Sequence, residues 1–476
     1  MLNKDFHAVL QKEVFQALAR CADNLSLESY LVGGFVRDHI LGGGKAKDID
    51  VVTVGSGIEL AKAVQKQLPG AQAVQEFKSY GTAMVKWRDI SLEFVGARKE
   101  SYSQNSRNPK VTQGTLEDDQ NRRDFTINAL AVSLNRKDKG TLIDPFNGLD
   151  DLQNGIIRTP LEPTVTYSDD PLRMLRAIRF ATQLNFKIED KSIVAIKKNA
   201  HRIGIISKER IVDELHKIVL TTQPSSGFLM LEQNDLLEGI LPELIQLKGI
   251  DEIEGKSHKD NFYHTLEVVD NISQHTENLW LRWAALLHDI GKAPTKKFHP
   301  KIGWTFHGHE FVGSKMVHKL FKRLKMPLNE KMKYVQKLVM LSSRPIIIAE
   351  DIVTDAAVRR LVFDAGEILE DLITLCEADI TTKNPDRFKR YRNNFKIVRK
   401  KIKEVEKRDR VRNFQPPVTG EVIMNHFNLR PCKEIGMIKE AIKEAILEGE
   451  IPNEYNAAFA LMIKKGSEIG LEAHGE

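Results

Sequence analysis

Asp48 and Asp50, at i and i+2 in Lys47-Asp48-Ile49-Asp50-Val51-Val52, closely follow a double-glycine turn in Leu31-Val32-Gly33-Gly34-Phe35-Val36-Arg37-Asp38. Strand side chains alternate between faces, so the two acids point the same way. Adjacent carboxylates repel unless a cation sits between them. Hard oxygen donors suit Mg²⁺, which keeps water and substrate phosphates in its shell. Gly33 and Gly34 let backbone N–H groups approach an anion closely. Together, a phosphate turn and a metal-holding Asp-x-Asp form an apparatus for transferring a nucleotidyl group. Either part alone reads as an ordinary turn or a solvated edge strand; their closeness argues for chemistry.

Three more clusters lie downstream. Glu93, in Ile90-Ser91-Leu92-Glu93-Phe94-Val95, is a charge among apolar neighbours. It reads either as a third metal-facing carboxylate or as a lone edge-strand acid. Arg122-Arg123-Asp124 precede an apolar stretch from Phe125. There the arginines could clamp phosphates, with Asp124 or Thr126 capping a helix or Asp124 meeting a ribose hydroxyl. A capped helix with solvated arginines is the plainer alternative. In Asp169-Asp170-Pro171-Leu172-Arg173, proline suits a first helical turn, and Asp170 and Arg173 are three apart. A carboxylate beside a guanidinium can read a base edge that offers an exocyclic amine, as cytosine and adenine do, and reject one that offers a carbonyl. An intrahelical ion pair is the alternative.

A second constellation occupies the other half. His264 stands in Phe262-Tyr263-His264-Thr265, and His288-Asp289-Ile290-Gly291-Lys292 ends an apolar stretch. His307-Gly308-His309 and Glu377-Ala378-Asp379 follow. Imidazoles and carboxylates gathered by helix packing make a divalent metal site.

The elements that must position these groups can be read coarsely. Residues 5–25 have helical spacing. Residues 28–150 mix short apolar runs with helical stretches such as Gly57–Gln67, a small α/β arrangement. Asp144-Pro145-Phe146-Asn147-Gly148 is turn chemistry and reads as a hinge. Beyond 170 the pattern is helical, without a clear strand signal, and Lys383–Arg412 is rich in Lys and Arg with Phe388, Tyr391 and Phe395 interleaved. Such a helix either attracts phosphates and stacks bases or packs its aromatics inward. At 476 residues the chain is too long for a single core. Lys and Arg exceed Asp and Glu by 71 to 65, a formal +6, which permits a polyanionic partner without demanding one. Cys21, Cys376 and Cys432 lack metal spacing and suit a reducing compartment. No apolar stretch would span a bilayer. Lys12 and Glu13 interrupt the N-terminal apolar positions, so no signal peptide is read there. The expectation is a cytoplasmic protein with no membrane partner; oligomeric state is not legible.

The order LVGGFVRD…KDID, RRDFTINALA, DPFNGLDDLQNGIIR, DDPLRMLRAIRF and SKERIVDEL resembles the class II CCA-adding tRNA nucleotidyltransferases and their sister bacterial poly(A) polymerases. The resemblance implies an α+β chain. Its polymerase-beta-like head (1–150, a small mixed sheet with helices) is followed by an all-α neck (151–250), HD region (251–385) and basic tail (386–476). It implies that Asp48, Asp50 and Glu93 are catalytic and hold Mg²⁺. Gly33, Gly34, Arg37, Arg123, Asp124, Asp170, Arg173, Arg176 and Arg179 would contact nucleotide. Asp170 and Arg173 would act as an amino-acid template for CTP and ATP, and Lys208 to Glu214 would brace their helix. Asp169 stands where the family usually has Glu. Glu100–Glu117 falls where the family has a flexible loop. The partner implied is tRNA, the activity CCA addition; poly(A) synthesis or partial CC- or A-addition are its neighbours. The second constellation resembles the HD metal-dependent phosphohydrolases. That implies a divalent site (Mn²⁺, Ni²⁺, Fe²⁺ or Zn²⁺) at His264, His288, Asp289, His309 (with His307 as its alternative) and Asp379, active in some relatives and decayed in others. A rival of another class is an HD phosphohydrolase whose first half only binds RNA.

Overall fold

The computed structural model describes residues 2, 4–43, 47–77, 81–103, 106–350, 354–409 and 415–472. It divides into two compact units, Met1–Pro242 and Glu243–Glu476. The first opens with helices α1 (His7–Leu10) and α2 (Glu13–Asn24). Strands β1 (Glu28–Val32) and β2 (Asp48–Val54) flank α3 (Gly34–Ile40). After α4 (Gly57–Gln67) come β3 (Gln75–Phe77), β4 (Thr82–Trp87) and β5 (Ile90–Gly96). A separate hairpin, β6 (Arg98–Ser103) and β7 (Ser106–Gln113), leads to α5 (Leu116–Asn121), β8 (Ala131–Ser133) and β9 (Leu142–Ile143). The main sheet runs β3-β4-β5-β2-β1-β8-β9. It is antiparallel throughout except for the β2–β5 pair. At the start of β2 the side chains alternate: Ile49 and Val51 are buried, while Asp48 and Asp50 take the other face. Helix α4 packs on β4 and β5, and α2 packs on α4.

The helical part of this unit continues through α6 (Gly148–Asn154), α7 (Pro163–Asp169), α8 (Leu172–Leu184), α9 (Asp190–Asn199) and α10 (Lys208–Val219). Helix α8 is amphipathic, with Leu172, Met174, Leu175, Ala177, Ile178 and Phe180 inside and α7, α10 and the helix Pro224–Gln233 against it. A head with a mixed sheet followed by helices is what the sequence led us to expect.

Three local expectations change. The stretch read as a loop over Glu100–Glu117 is mostly the β6–β7 hairpin, residues 104 and 105 lying outside the described residues, and its end joins the capping box Thr115–Asp118 that opens α5. The apolar stretch after Asp124 is not a helix. Thr126–Asn128 makes one 3₁₀ turn, the Gln120 amide takes the Ala129 carbonyl at 2.7 Å, and the chain enters β8. β8 is buried on both faces, so it reads as an apolar run without alternation. Beyond 170, short strands do occur: Lys187–Ile188, paired with Ile156–Ile157 in the neck read as all-α, Glu252–Ile253 with Lys256–Ser257, and the hairpin Lys297–His299 with Gly303–Thr305. They are too short to give a period.

The second unit is mainly helical, with Asn261–Ser273, Leu279–Leu287, His309–Arg323 and Leu369–Ala378 around a core that includes Trp283, Phe262 and Phe321. The long basic helix Pro385–Asp409 and three shorter helices follow. Among the described residues no helix is long and apolar enough to cross a membrane.

Candidate functional site

The first site forms where β1, β2 and β5 run side by side. Val32 faces Asp50 across the β1–β2 pair, and Asp50 faces Glu93 across the parallel β2–β5 pair. Directly opposed residues project to one face, so Asp48, Asp50 and Glu93 share it. Further along, that face turns apolar at Tyr30, Val32, Val52 and Ala131. Burial raises the Asp50 carboxyl above its usual range; Asp48 adds to the rise and Arg123 opposes it. Glu93 is raised too, by burial and then by Asp50 and Asp48. Asp50 and Glu93 are thus each raised in part by a neighbouring carboxylate, and all-oxygen donors on one face suit a hard divalent cation.

Gly33 closes β1 with φ +71°, where an L side chain is strained. A Cβ there would sit 2.9 Å from Asp50 Oδ2 and 3.3 Å from an Arg123 guanidinium nitrogen. Glycine therefore lets backbone, carboxylate and guanidinium converge. Gly34 begins α3.

The arginines divide into two groups. Arg37 is buried, donating to Asn128 Oδ1 at 2.8 Å and pairing with Asp38. Arg179 is buried on Glu214 at 2.9 Å, with its guanidinium 3.4 Å above the Phe180 ring. These two hold the framework. Arg123 reaches the carboxylate site while Asp119 Oδ2 accepts its Nε–H at 2.9 Å. Asp119, with 0% exposure, also takes Arg122. It was not singled out in the sequence, although its place three and four residues ahead of the arginines was the available signal. Asp124 is buried and accepts from the Phe125 amide, Asn128 and Arg176. Burial works against its charge, yet Arg176 and Asn128 hold its carboxyl down to about 2.

Asp170 and Arg173 sit at the start of α8 but do not pair. Asp170 Oδ1 accepts the Leu172 amide at 3.2 Å, and its other oxygen lies 3.9 Å from Arg210. Arg173 donates to the Arg122 carbonyl at 2.7 Å. Arg176 spans Asp124 at 2.7 Å and Glu214 at 3.8 Å. Glu214, on α10, also takes Lys217 at 3.1 Å, so α10 grips α8 through one buried acid.

The second site gathers four of its five expected ligands tightly. His264 Nε2 lies 2.7 Å from Asp379 Oδ1 and 3.7 Å from Asp289 Oδ2. His288 Nε2 lies 3.3 Å from Asp289 and 3.7 Å from Asp379. Ligand atoms of His264, His288 and Asp379 fall within 4.8 Å of one another, the one such set of three among the described residues. His309, rather than exposed His307, reaches Asp289, at 3.7 Å. His288 Nδ1 is 2.8 Å from the Ala285 carbonyl, which fixes the proton there and turns Nε2 inward. That buried Nε2 has no hydrogen-bond partner. An orphaned imidazole nitrogen aimed at two carboxylates fits a divalent ion. Burial alone would lower the His288 imidazole, but Asp289 and Asp379 hold it up, to about 10. Gly291 makes the turn possible: a Cβ would lie 2.0 Å from the His309 carbonyl. Lys292 pairs with Asp289 at 2.7 Å. Lys259, which no sequence signal marked, stands 2.8 Å from His264 Nδ1 and also bonds Thr381.

Comparison with known proteins adds the following. Residues 29–158 match the Poly A polymerase head domain. Residues 185–247 match the probable RNA and SrmB-binding site of polymerase A, and residues 261–384 the HD domain. An A-adding tRNA nucleotidyltransferase of Deinococcus radiodurans is 33% identical over 353 residues, 72% of this chain and 78% of that protein. A CCA-adding enzyme of Ligilactobacillus salivarius is 41% identical over 202 residues, 42% of this chain and 47% of that enzyme. A solved CCA-adding enzyme in an apo form superposes with a TM-score of 0.64 at 23% identity, covering 99% of this chain and 98% of that one.

Proposed function

The chain belongs to the tRNA nucleotidyltransferase and poly(A) polymerase family, and on that premise we propose that it adds or repairs the 3′-terminal CCA of tRNA from CTP and ATP. The observation that carries this is the register of β2 and β5, which sets Asp50 opposite Glu93, with Asp48 on the same face. Those three acids would hold Mg²⁺. Bound there, the ion would lower the pKa of the RNA 3′-hydroxyl and neutralise charge on the triphosphate. The chain's own groups do the rest. The Gly33 turn and Arg123 would receive phosphate oxygens. Asp170 would accept the exocyclic amine of cytosine or adenine, and Arg173 would donate to the ring edge. Arg37, Arg176 and Arg179 would act on the nucleotide indirectly, by holding α3 and α8. The reaction served is in-line attack of the 3′-hydroxyl on the α-phosphate, with pyrophosphate leaving.

In the second unit His264, His288, Asp289 and Asp379, with His309, would hold a divalent ion for phosphoester chemistry. The basic helix Pro385–Asp409 would contact tRNA. The boundaries 1–150, 151–250, 251–385 and 386–476 belong to the same proposal, as does a cytoplasmic location, which three free cysteines suit.

A narrower reading, addition of the terminal A alone, is favoured by the Deinococcus relative, whose name is A-adding. One experiment separates the readings. Transfer RNAs ending before CCA, after C and after CC are each incubated with labelled CTP, ATP, GTP or UTP. Ordered C, C, A addition with UTP and GTP inert supports full CCA synthesis. Extension of only the CC-ending RNA supports the narrower reading, and long A tails support a poly(A) polymerase. No incorporation by the unaltered chain, or equal incorporation by Asp48→Ala/Asp50→Ala, would overturn the proposal.

A further inference from the structure

The interleaved aromatics of the basic helix do not serve one purpose. Phe388 is 39% exposed, whereas Phe395 is 1% exposed. Tyr391 and Phe395 line a cavity of about 440 Å³ together with His264, Asp379, Lys259 and Thr381. Wall and cluster share a scaffold. Arg399, two turns past Tyr391 on the basic helix, bonds Glu377 at 3.0 Å and Glu370 at 2.7 Å. Both acids lie on the helix Leu369–Ala378, which Asp379 terminates.

The two kinds of lining group ask for different chemistry. At the cluster, Lys259 Nζ is an ammonium donor beside the expected metal ligands, a place for an anionic oxygen. The half-buried Tyr391 ring, backed by buried Phe395, offers flat apolar surface to the cavity, which a planar ring system covers better than an aliphatic chain does. The volume lies in the range of small-ligand sites and accommodates a group of nucleoside size.

We propose that this cavity receives the planar, aromatic part of a phosphorylated ligand whose phosphate sits at the His/Asp cluster, with Tyr391 as the stacking wall and Lys259 as a phosphate partner. The proposal rests on the reading of that cluster as a divalent metal centre. It gives part of the basic helix a task at the second site instead of on tRNA.

Two probes that resist hydrolysis test it: phenylphosphonate, which carries a ring, and methylphosphonate, which does not. Their binding to the full chain is measured by calorimetry with and without Mn²⁺, and Mn²⁺ binding is measured alone. Phenylphosphonate should bind about tenfold more tightly than methylphosphonate. Tyr391→Leu should bring the ratio near one and leave Mn²⁺ binding unchanged, while Tyr391→Phe keeps the ratio. Lys259→Met should weaken both probes alike. Equal affinity for the two probes, no measurable binding of either, or a ratio indifferent to Tyr391→Leu would overturn the proposal. Absence of Mn²⁺ binding by the unaltered chain would instead strike the metal reading, and the probe ratio in metal-free solution would still decide the cavity.

Discussion

Arg173 donates to the main-chain carbonyl of Arg122, 2.7 Å away, and makes no ion pair with Asp170 three residues before it. The bond ties the start of α8 to the segment that carries Arg123 to the carboxylates. The groups proposed to select the base and to receive the phosphate therefore share one strut. The outer oxygen of Asp170 lies 3.9 Å from Arg210, and its side chain keeps 19% exposure.

Asp170→Ala should spoil selection more than rate. The preference for CTP and ATP over UTP and GTP should fall by about tenfold or more, because a site built around a hydrogen bond discriminates through it. The measurement is kcat/KM for the four triphosphates on one tRNA; an unchanged ratio would remove Asp170 from the role of template. Arg173→Ala should lower both rate and selectivity, since it also cuts the bond to Arg122.

Asp50→Asn should lower nucleotide addition by about 10³-fold, roughly 4 kcal/mol in the barrier. It should not destabilise the metal-free chain. Burial and Asp48 raise the Asp50 carboxyl, so its ionised form disfavours the folded state as pH rises above the ordinary carboxylate range. In EDTA at neutral pH the variant should melt at or above the unaltered chain. Added Mg²⁺ should raise the melting temperature of the unaltered chain more than that of the variant.

Glu214→Ala should be severely destabilising, by about 3–5 kcal/mol, because it leaves Arg179 buried without its acid. Urea unfolding measures this. The Glu214 carboxyl is lowered by Arg179, then by Arg176 and Lys217, against the effect of burial. Its stabilisation is thus present above the unfolded carboxylate value, about 4.3, and is lost as pH falls through the depressed folded value. The gap between the two chains should narrow in acid.

His288→Ala should abolish Mn²⁺ binding at the second site and leave nucleotide addition intact. Calorimetry on the full chain, beside the tRNA assay, reads both. Retained Mn²⁺ affinity would mean that His264 and Asp379 hold the ion without it.

Gly291→Ala alters no ligand. Yet its Cβ would press on the His309 carbonyl, so the backbone must part there. Mn²⁺ affinity should drop by about 10–100-fold, as for other changes that misorient ligands.

Much of both sites was legible in the sequence. The i, i+2 spacing of Asp48 and Asp50 fixed their common face once β2 formed, since pleat alternation allows no other arrangement. The order of His264, His288-Asp289, His309 and Asp379 named the members of the second cluster. Other features were not legible. Arg37 and Arg179 are nucleotide contacts only by the family resemblance, and packing shows each of them buried on a partner, 91 and 35 residues away in the chain. Asp119 gave a helical-spacing signal that is common on solvated faces, so it did not stand out. The Arg122-Arg123-Asp124 segment reads as a helix start, whereas the chain makes one 3₁₀ turn there and then enters β8 within the short apolar run Ala129–Leu134. Lys259 gave no signal at all.

The sequence by itself determined which donor atoms exist and which of them share an element's face, because strand and helix periods are local. Tertiary structure alone decided the rest: that Glu93 lies opposite Asp50, that Arg173 turns to Arg122, that Gly291 meets His309, and that Tyr391 closes a cavity beside His264. Those relations depend on register and packing between segments far apart in the chain. Close packing and the cost of burying an unpaired charge select one arrangement among many that the local pattern would allow.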